Sequence, residues 1–174
     1  MNATELIFQR QSCRSFGEGR VEDEKLLQII EAGRLSPSAC NSQPWSFVLA
    51  SSHDKVKEVS RCTQINGRNT FTENASAFII IVEEENEAAF GGREHRYYGE
   101  MDIGMCTVNM CNMATSLGVG SCILGSFDAD ELKEVADIPR NKCIKLVIAL
   151  GYAKEGYPQR EKTRKSREEV LKII

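Results

Sequence analysis

The chain has 174 residues, enough for one domain with a substantial buried core. Hydrophobic residues make up 41% and charged residues 27%, an ordinary globular balance, and a formal net charge of -3 weighs against any general affinity for nucleic acid. No apolar run approaches the roughly 18 residues of a membrane span, and residues 1–10 lack a signal-peptide hydrophobic region, so the expectation is a single cytoplasmic domain over 1–174.

Residues 3–9 are mildly apolar and predicted helical. Arg10, Ser12 and Arg14 follow. Two arginines four apart, with a hydroxyl between them, can set two guanidinium forks around one phosphate; the same spacing also occurs in solvated basic turns. Residues 22–34 read as an amphipathic helix, with Leu26, Ile29, Ile30 and Gly33 at i, i+3, i+4 and i+7. Gly33 predicts a close helix contact there.

Pro37 biases the residue before it toward extended backbone, which ends this helix near Leu35. The stretch Ser36-Pro37-Ser38-Ala39-Cys40-Asn41-Ser42-Gln43-Pro44-Trp45 is the centre of the sequence. Two prolines bracket small, hydroxyl and amide residues, which suits a loop that wraps a flat polar heterocycle or, equally, a plain helix-to-strand connection. A strand is predicted at 46–50 and a helix from Ser52 or Asp54 through Val56 and Val59. Residues 61–74 are polar and aperiodic and read as an irregular loop. Residues 77–82 form the clearest strand: continuously apolar and β-branched, the pattern of a central strand buried on both faces. Residues 83–99 are charged, with Gly91-Gly92 in the middle, and read as a surface excursion or a lid; His95 there and His53 earlier read as lone surface histidines.

A long helix is predicted over 100–117 with two apolar stripes. Ile103, Cys106, Met110, Met113 and Leu117 form one; Met101, Met105 and Val108 form the other. Gly118 ends it. A short strand at 121–124 leads to Gly125. Asp128 caps another helix, with Glu131 placed for a capping box. Residues 144–151 are a further buried strand. Residues 154–168 carry a basic cluster that includes Lys162, Arg164, Lys165 and Arg167, and residues 170–174 are an apolar end that needs a docking place. The seven cysteines are odd in number and none sits at Cys-x-x-Cys spacing, so they read as reduced, mostly buried thiols rather than a disulfide or zinc framework. There is no Gly-x-Gly-x-x-Gly turn and no Walker sequence.

Four stretches together resemble the nitroreductase family of flavin enzymes: Arg10-Gln11-Ser12-Cys13-Arg14-Ser15-Phe16, the Pro-Ser-x-x-Asn-x-Gln-Pro-Trp run at 37–45, Gly118-Val119-Gly120-Ser121-Cys122-Ile123-Leu124-Gly125, and the tail around Lys162-Thr163-Arg164. Their order and spacing cover essentially the whole chain. Asp102-Ile103-Gly104 also resembles a family motif on the helix central to the dimer.

The resemblance implies an α+β fold: an α-β-α sandwich with a mostly antiparallel central sheet and a C-terminal segment exchanged between the subunits of a homodimer. It implies FMN as cofactor and NADH or NADPH as transient co-substrate. Arg10, Arg14, Lys162 and Arg164 would neutralise the phosphate, with Gln11 and Ser12 beside them. Pro37, Ser38, Ala39, Cys40 and Asn41 would serve a flavin held mainly by the other subunit, while Gln43, Pro44 and Trp45 shape the loop. Leu124 and Gly125 would face the reactive N5, the Gly125 N–H donating to it. One of Asn66, Arg68 and Asn69 would reach the flavin. No catalytic side chain and no metal are implied, because the flavin carries the redox chemistry. The reaction would be ping-pong hydride transfer to a nitroaromatic, quinone or similar small acceptor, with no nucleic-acid or membrane partner. Dehalogenation, flavin breakdown or non-enzymatic flavin binding on the same fold stand as alternatives.

Overall fold

A computed structural model describes residues 1–84, 90–91 and 96–174. The elements in chain order are α1 (Ala3–Gln9), α2 (Asp23–Arg34), β1 (Trp45–Ala50), α3 (His53–Thr63), β2 (Ala77–Glu83), β3 (Phe90–Gly91), β4 (Arg96–Tyr97), α4 (Gly99–Ser116), β5 (Gly120–Leu124), α5 (Ala129–Val135), β6 (Cys143–Gly151) and α6 (Arg167–Val170). Short 3-10 turns occupy Ala39–Asn41, Ile65–Gly67 and Thr70–Asn74. The main sheet runs β1-β2-β6-β5 with every pairing antiparallel, and β3 pairs with β4 in a separate two-stranded ribbon.

Strand β2 is flanked on both edges and covered on both faces. Side chains alternate across a strand, so Phe78, Ile80 and Val82 enter one core while Ala77, Ile79 and Ile81 enter the other. The first core is closed by Val56, Val59 and Cys62 of α3, Leu132 of α5, and Cys13 and Phe16. The second is closed by Leu26 and Ile29 of α2 and by Ile103, Cys106 and Met110 of α4. This is the α-β-α sandwich that the resemblance implies, and the unbroken apolar run of β2 follows from its two-sided burial.

Local chemistry sets the element ends. Gly118 adopts φ +73°, and the N–H groups of Gly118 and Val119 donate to the carbonyls of Thr115 and Ala114, a Schellman closure of α4. Gly33 lets α2 approach α4: a Cβ at that position would lie 2.9 Å from the Met110 side chain. The Asp128 carboxylate caps α5 through the Asp130 and Glu131 N–H groups. The capping box expected there is only half formed, since the Asp128 N–H donates to the Cys62 carbonyl instead.

The expected loop at 61–74 is more ordered than its polarity suggests. Helix α3 continues to Thr63, and the turns after it are tied by buried hydroxyls: Thr72 Oγ1 lies 3.1 Å from Ser60 Oγ and 3.0 Å from Thr63 Oγ1. Residues 85–89 and 92–95, and with them His95 and much of the segment read as a surface excursion or lid, fall outside the described residues. Among the described residues, no helix is long and apolar enough to cross a membrane, and no cluster of His, Cys, Asp and Glu could hold a metal. Five of the seven cysteines, 13, 62, 106, 111 and 122, are buried. Burial pushes the Cys62 thiol up to about 11 and the Cys106 thiol up to about 12, as expected for inert core thiols.

One extended strip seats the N-terminal motif on the sheet. Ser12 pairs with Ser121 in a parallel bridge, the Cys13 N–H donates to the Ser121 carbonyl at 2.8 Å, and Phe16 bridges Ala153 beyond β6. Two glycines permit this approach. A Cβ on Gly120 would meet the Cys13 side chain at 3.0 Å, and one on Gly151 would meet the Phe16 ring at 2.8 Å. The second neighbour is a rigid ring anchored in the core. Gly151→Ala is therefore expected to destabilise the fold by about 1–3 kcal/mol through overpacking, measured as a lowered urea midpoint; an unchanged midpoint would contradict the close seating.

Candidate functional site

The strip and the C-terminal tail meet in one cavity of about 310 Å³. It is lined by Arg10, Gln11, Ser12 and Arg14 on one side, and by Arg160, Glu161, Lys162, Thr163 and Arg164 on the other. Residues nearly 150 positions apart come together because the tail is bonded back onto the strip. The Arg14 N–H donates to the Tyr157 hydroxyl at 3.0 Å, the Gln11 amide donates to the Pro158 carbonyl at 3.1 Å, and the Arg160 N–H donates to Gln11 Oε1 at 3.0 Å. Lys162 Nζ donates to the Arg10 carbonyl at 2.5 Å, and the Arg160 guanidinium donates to the Ser12 carbonyl.

Five basic side chains therefore surround a small volume with a single carboxylate, Glu161, among them. Burial, and then the charges of Arg10 and Arg164, push the Lys162 ammonium below its usual range. A cluster of that kind is electrostatically unfavourable until an anion enters. The Arg10 and Arg14 guanidinium groups take no hydrogen bond or ion pair among the described residues, so their donor forks are available. The donor set, its sign and its concave shape fit a phosphate group. Gln11 serves the tail, with its carbonyl oxygen and its amide both bonded to residues 158 and 160.

Arg160 was missed by sequence reasoning. It lies two residues before Lys162 in the same charged run, and its convergence on Ser12 depends on the tail's path, which residue spacing does not encode.

Strand β5 leads away from this cavity toward Gly125. Ser12 lies opposite Ser121, and Gly125 is four residues further along, about 13 Å at strand spacing. Leu124 is buried in the core, whereas a Cβ on Gly125 would have nothing within 4 Å. The turn after Gly125 is braced from behind. Asn69 adopts φ +55° and its amide donates at 3.1 Å to both the Thr63 and the Ser126 carbonyls. Of the three residues considered for flavin contact, Asn69 thus has both amide hydrogens committed to the protein, while Asn66 and Arg68 are exposed.

The central loop does not line the basic cavity. It sits instead beside the N-terminal part of α4, where the Ala39 N–H points at the Asp102 carboxylate, 3.2 Å from each oxygen. Cys40, Asn41 and Gln43 take φ of 52°, 55° and 48°. Left-handed backbone costs a non-glycine residue roughly 1–2 kcal/mol, so the loop needs side-chain ties. The Gln43 N–H supplies one by donating to Ser38 Oγ at 2.9 Å, and the Gln43 amide supplies another by donating to the Asn41 carbonyl at 3.1 Å. Pro37, Cys40 and Asn41 are exposed, Ser38 and Ala39 half-buried. Pro44 and Trp45 are buried, and the Trp45 ring stacks on Phe47 at 6.4 Å, so Trp45 anchors the loop in the core.

Known proteins share this fold. The model of the Nitroreductase family matches residues 7–152. A protein of Archaeoglobus fulgidus, provisionally named NADH dehydrogenase/NAD(P)H nitroreductase, is 30% identical over 157 residues, 86% of this chain and 84% of its own. The crystal structure of a nitroreductase family protein from Streptococcus pneumoniae TIGR4 superposes with a TM-score of 0.84 at 23% identity, over 99% of this chain and 100% of the other. A nitroreductase with bound FMN from Bacteroides fragilis NCTC 9343 superposes with a TM-score of 0.78 at 23% identity, over 100% of both chains. These two structures share the fold; the family model and the Archaeoglobus relative go further, and by them this chain belongs to the nitroreductase family.

Proposed function

We propose that this chain is an FMN-dependent NAD(P)H oxidoreductase, and that the cavity between residues 10–14 and 160–164 holds the FMN phosphate. The observation that carries the reading is the convergence of Arg10, Arg14, Arg160, Lys162 and Arg164 on one small volume, in a chain whose net charge is -3. Family membership and the FMN and NAD(P)H of its relatives' names support it.

Arg10 and Arg14 offer the free guanidinium forks and would make the direct charge-assisted contacts. Lys162 and Arg164 add charge from the tail, Ser12 adds a hydroxyl, and Gln11 holds the tail in place. From there the cofactor would lie along β5, with its ring near Leu124 and Gly125. The open space at Gly125 lets a ring approach the backbone, so that its N–H can donate to the flavin N5. FMN, when bound, would supply the redox chemistry, hydride uptake from NADH or NADPH and delivery of reducing equivalents to a nitroaromatic, quinone or similar small acceptor in a second half-reaction. The protein's part is to bind, orient and hydrogen-bond, and no side chain near Gly125 is assigned an acid or base role.

The working unit is proposed to be a homodimer with shared sites. Met101, Met105 and Val108 form an exposed apolar stripe on α4, and Leu27 and Leu35 expose further apolar surface at α2 and its C-terminal end. Val170, Leu171, Ile173 and Ile174 are exposed as well. Apolar surface of this extent suits burial against a second copy, with the tail crossing over and residues 37–41 meeting the partner's flavin.

Three outcomes are expected. Arg14→Ala should fold normally yet weaken FMN binding by at least about tenfold, the scale of a lost charge-assisted contact; titration of apoprotein with FMN showing wild-type affinity would contradict the phosphate assignment. Gly125→Val should leave the melting temperature nearly unchanged, because the side chain enters open space, while turnover with NAD(P)H and an artificial acceptor falls sharply; full activity would remove the ring from that position. Met105→Glu should shift the protein from dimer to monomer by analytical ultracentrifugation and reduce FMN occupancy with it. A monomeric wild-type protein that binds FMN tightly would refute the shared site.

A further inference from the structure

Helix α4 grips the central loop with two polar side chains on one face. Asn109 donates to Ser36 Oγ at 2.8 Å, where the loop begins. Asp102, seven residues earlier and hence on the same face, receives the Ala39 N–H on both carboxylate oxygens. Asp102 is 2% exposed. A carboxylate in that position has four lone-pair directions to satisfy, yet among the described residues the Ala39 N–H is its one hydrogen-bond donor. Among the described residues the carboxylate is therefore directed at a single peptide, the first of the 3-10 turn that carries the left-handed Cys40 and Asn41. A carboxylate costs more to bury than an apolar side chain unless the hydrogen bond it accepts is needed. Core packing alone does not call for an acid here.

We propose that Asp102 is a positioning residue for the flavin ring: by fixing the Ala39 peptide it holds the following Cys40 and Asn41 in their left-handed conformation, ready for the ring. This rests on the FMN reading and adds to it a residue with no cofactor contact of its own. The bond is made from the helix that also carries the exposed Met101, Met105 and Val108 stripe. The loop's geometry and the proposed subunit contact thus share one rigid element.

Two variants remove the bond from opposite ends. Asp102→Ala deletes the acceptor. Ala39→Pro deletes the donor: the backbone accepts proline, because Ser38 is extended at φ -145°, ψ 154° and position 39 opens a 3-10 turn, and the ring takes the place of the N–H, turning the Asp102 carboxylate away. Asp102→Asn keeps an oxygen acceptor of the same size and serves as the conservative rescue. Binding of FMN and of riboflavin, which lacks the phosphate, is measured for the full-length protein by quenching of flavin fluorescence, with the visible spectrum of each complex. Asp102→Ala and Ala39→Pro are expected to weaken both ligands by a similar factor, about tenfold for one lost buried hydrogen bond, and to shift the bound-flavin spectrum. Asp102→Asn should restore both properties. Wild-type affinity in Asp102→Ala or in Ala39→Pro would overturn the proposal, as would a loss confined to FMN, which would place the effect at the phosphate. Should Asp102→Ala fail to fold, Asp102→Leu, which fills the same space without an acceptor, is measured in its place and judged by the same outcomes. Wild-type protein that binds neither ligand would overturn the cofactor reading beneath it.

Discussion

The close seating of residues 12–17 against the end of the sheet is the constraint on which the candidate site depends. The strip is held by backbone bonds from Cys13 to Ser121, from Gly17 to Tyr152 and from Lys154 to Ser15. It buries Cys13 and Phe16 in one of the two cores. Because the strip lies between β5 and the segment that leaves β6, the same contacts that complete the core also carry the N-terminal arginines to the C-terminal tail. Gly120 and Gly151 make the approach possible by having no side chain to resist it. Packing and binding geometry are thus two consequences of one contact.

The electrostatics follow from that contact. Each tail cation is positioned by an uncharged group: Arg160 by the Ser12 carbonyl, Lys162 by the Arg10 carbonyl, Arg164 by the Thr163 carbonyl. Backbone carbonyls fix the direction of a cation without cancelling its charge, so the cavity remains attractive to an anion. Four of the eight salt bridges among the described residues pair neighbours at i and i+3 on the surface, where their effect on stability is small. The concentration of uncompensated positive charge between residues 10–14 and 160–164 stands out against that background and against the net negative charge of the chain.

What the sequence made legible was local or periodic. The apolar run of β2, the i, i+3, i+4 pattern of α2, the glycine after α4 and the Asp128 cap each have a short-range physical cause, and the structure bears each of them out. The basic clusters were visible as residue types, but their meeting was implied by family resemblance and not by spacing. What could not be read were bonds between distant segments: Asp102 to Ala39, Asn69 to Ser126, Arg160 to Ser12. The order of 61–74 was hidden for a related reason. Its structure comes from buried hydroxyls of Ser60, Thr63 and Thr72 bonded to one another, and polar residues in a sequence read as solvent-facing until the partners are known.

The basic cavity and the Gly125 turn are proposed to hold a flavin that nicotinamide nucleotides can reduce. The most direct test is the absorbance spectrum of the purified protein, reconstituted with FMN if required, before and after anaerobic addition of NADH or NADPH. Bound-flavin bands are expected to bleach with at least one nucleotide and to return when an acceptor is added. Protein that takes up no FMN, or a bound flavin that neither nucleotide reduces, would contradict the proposal.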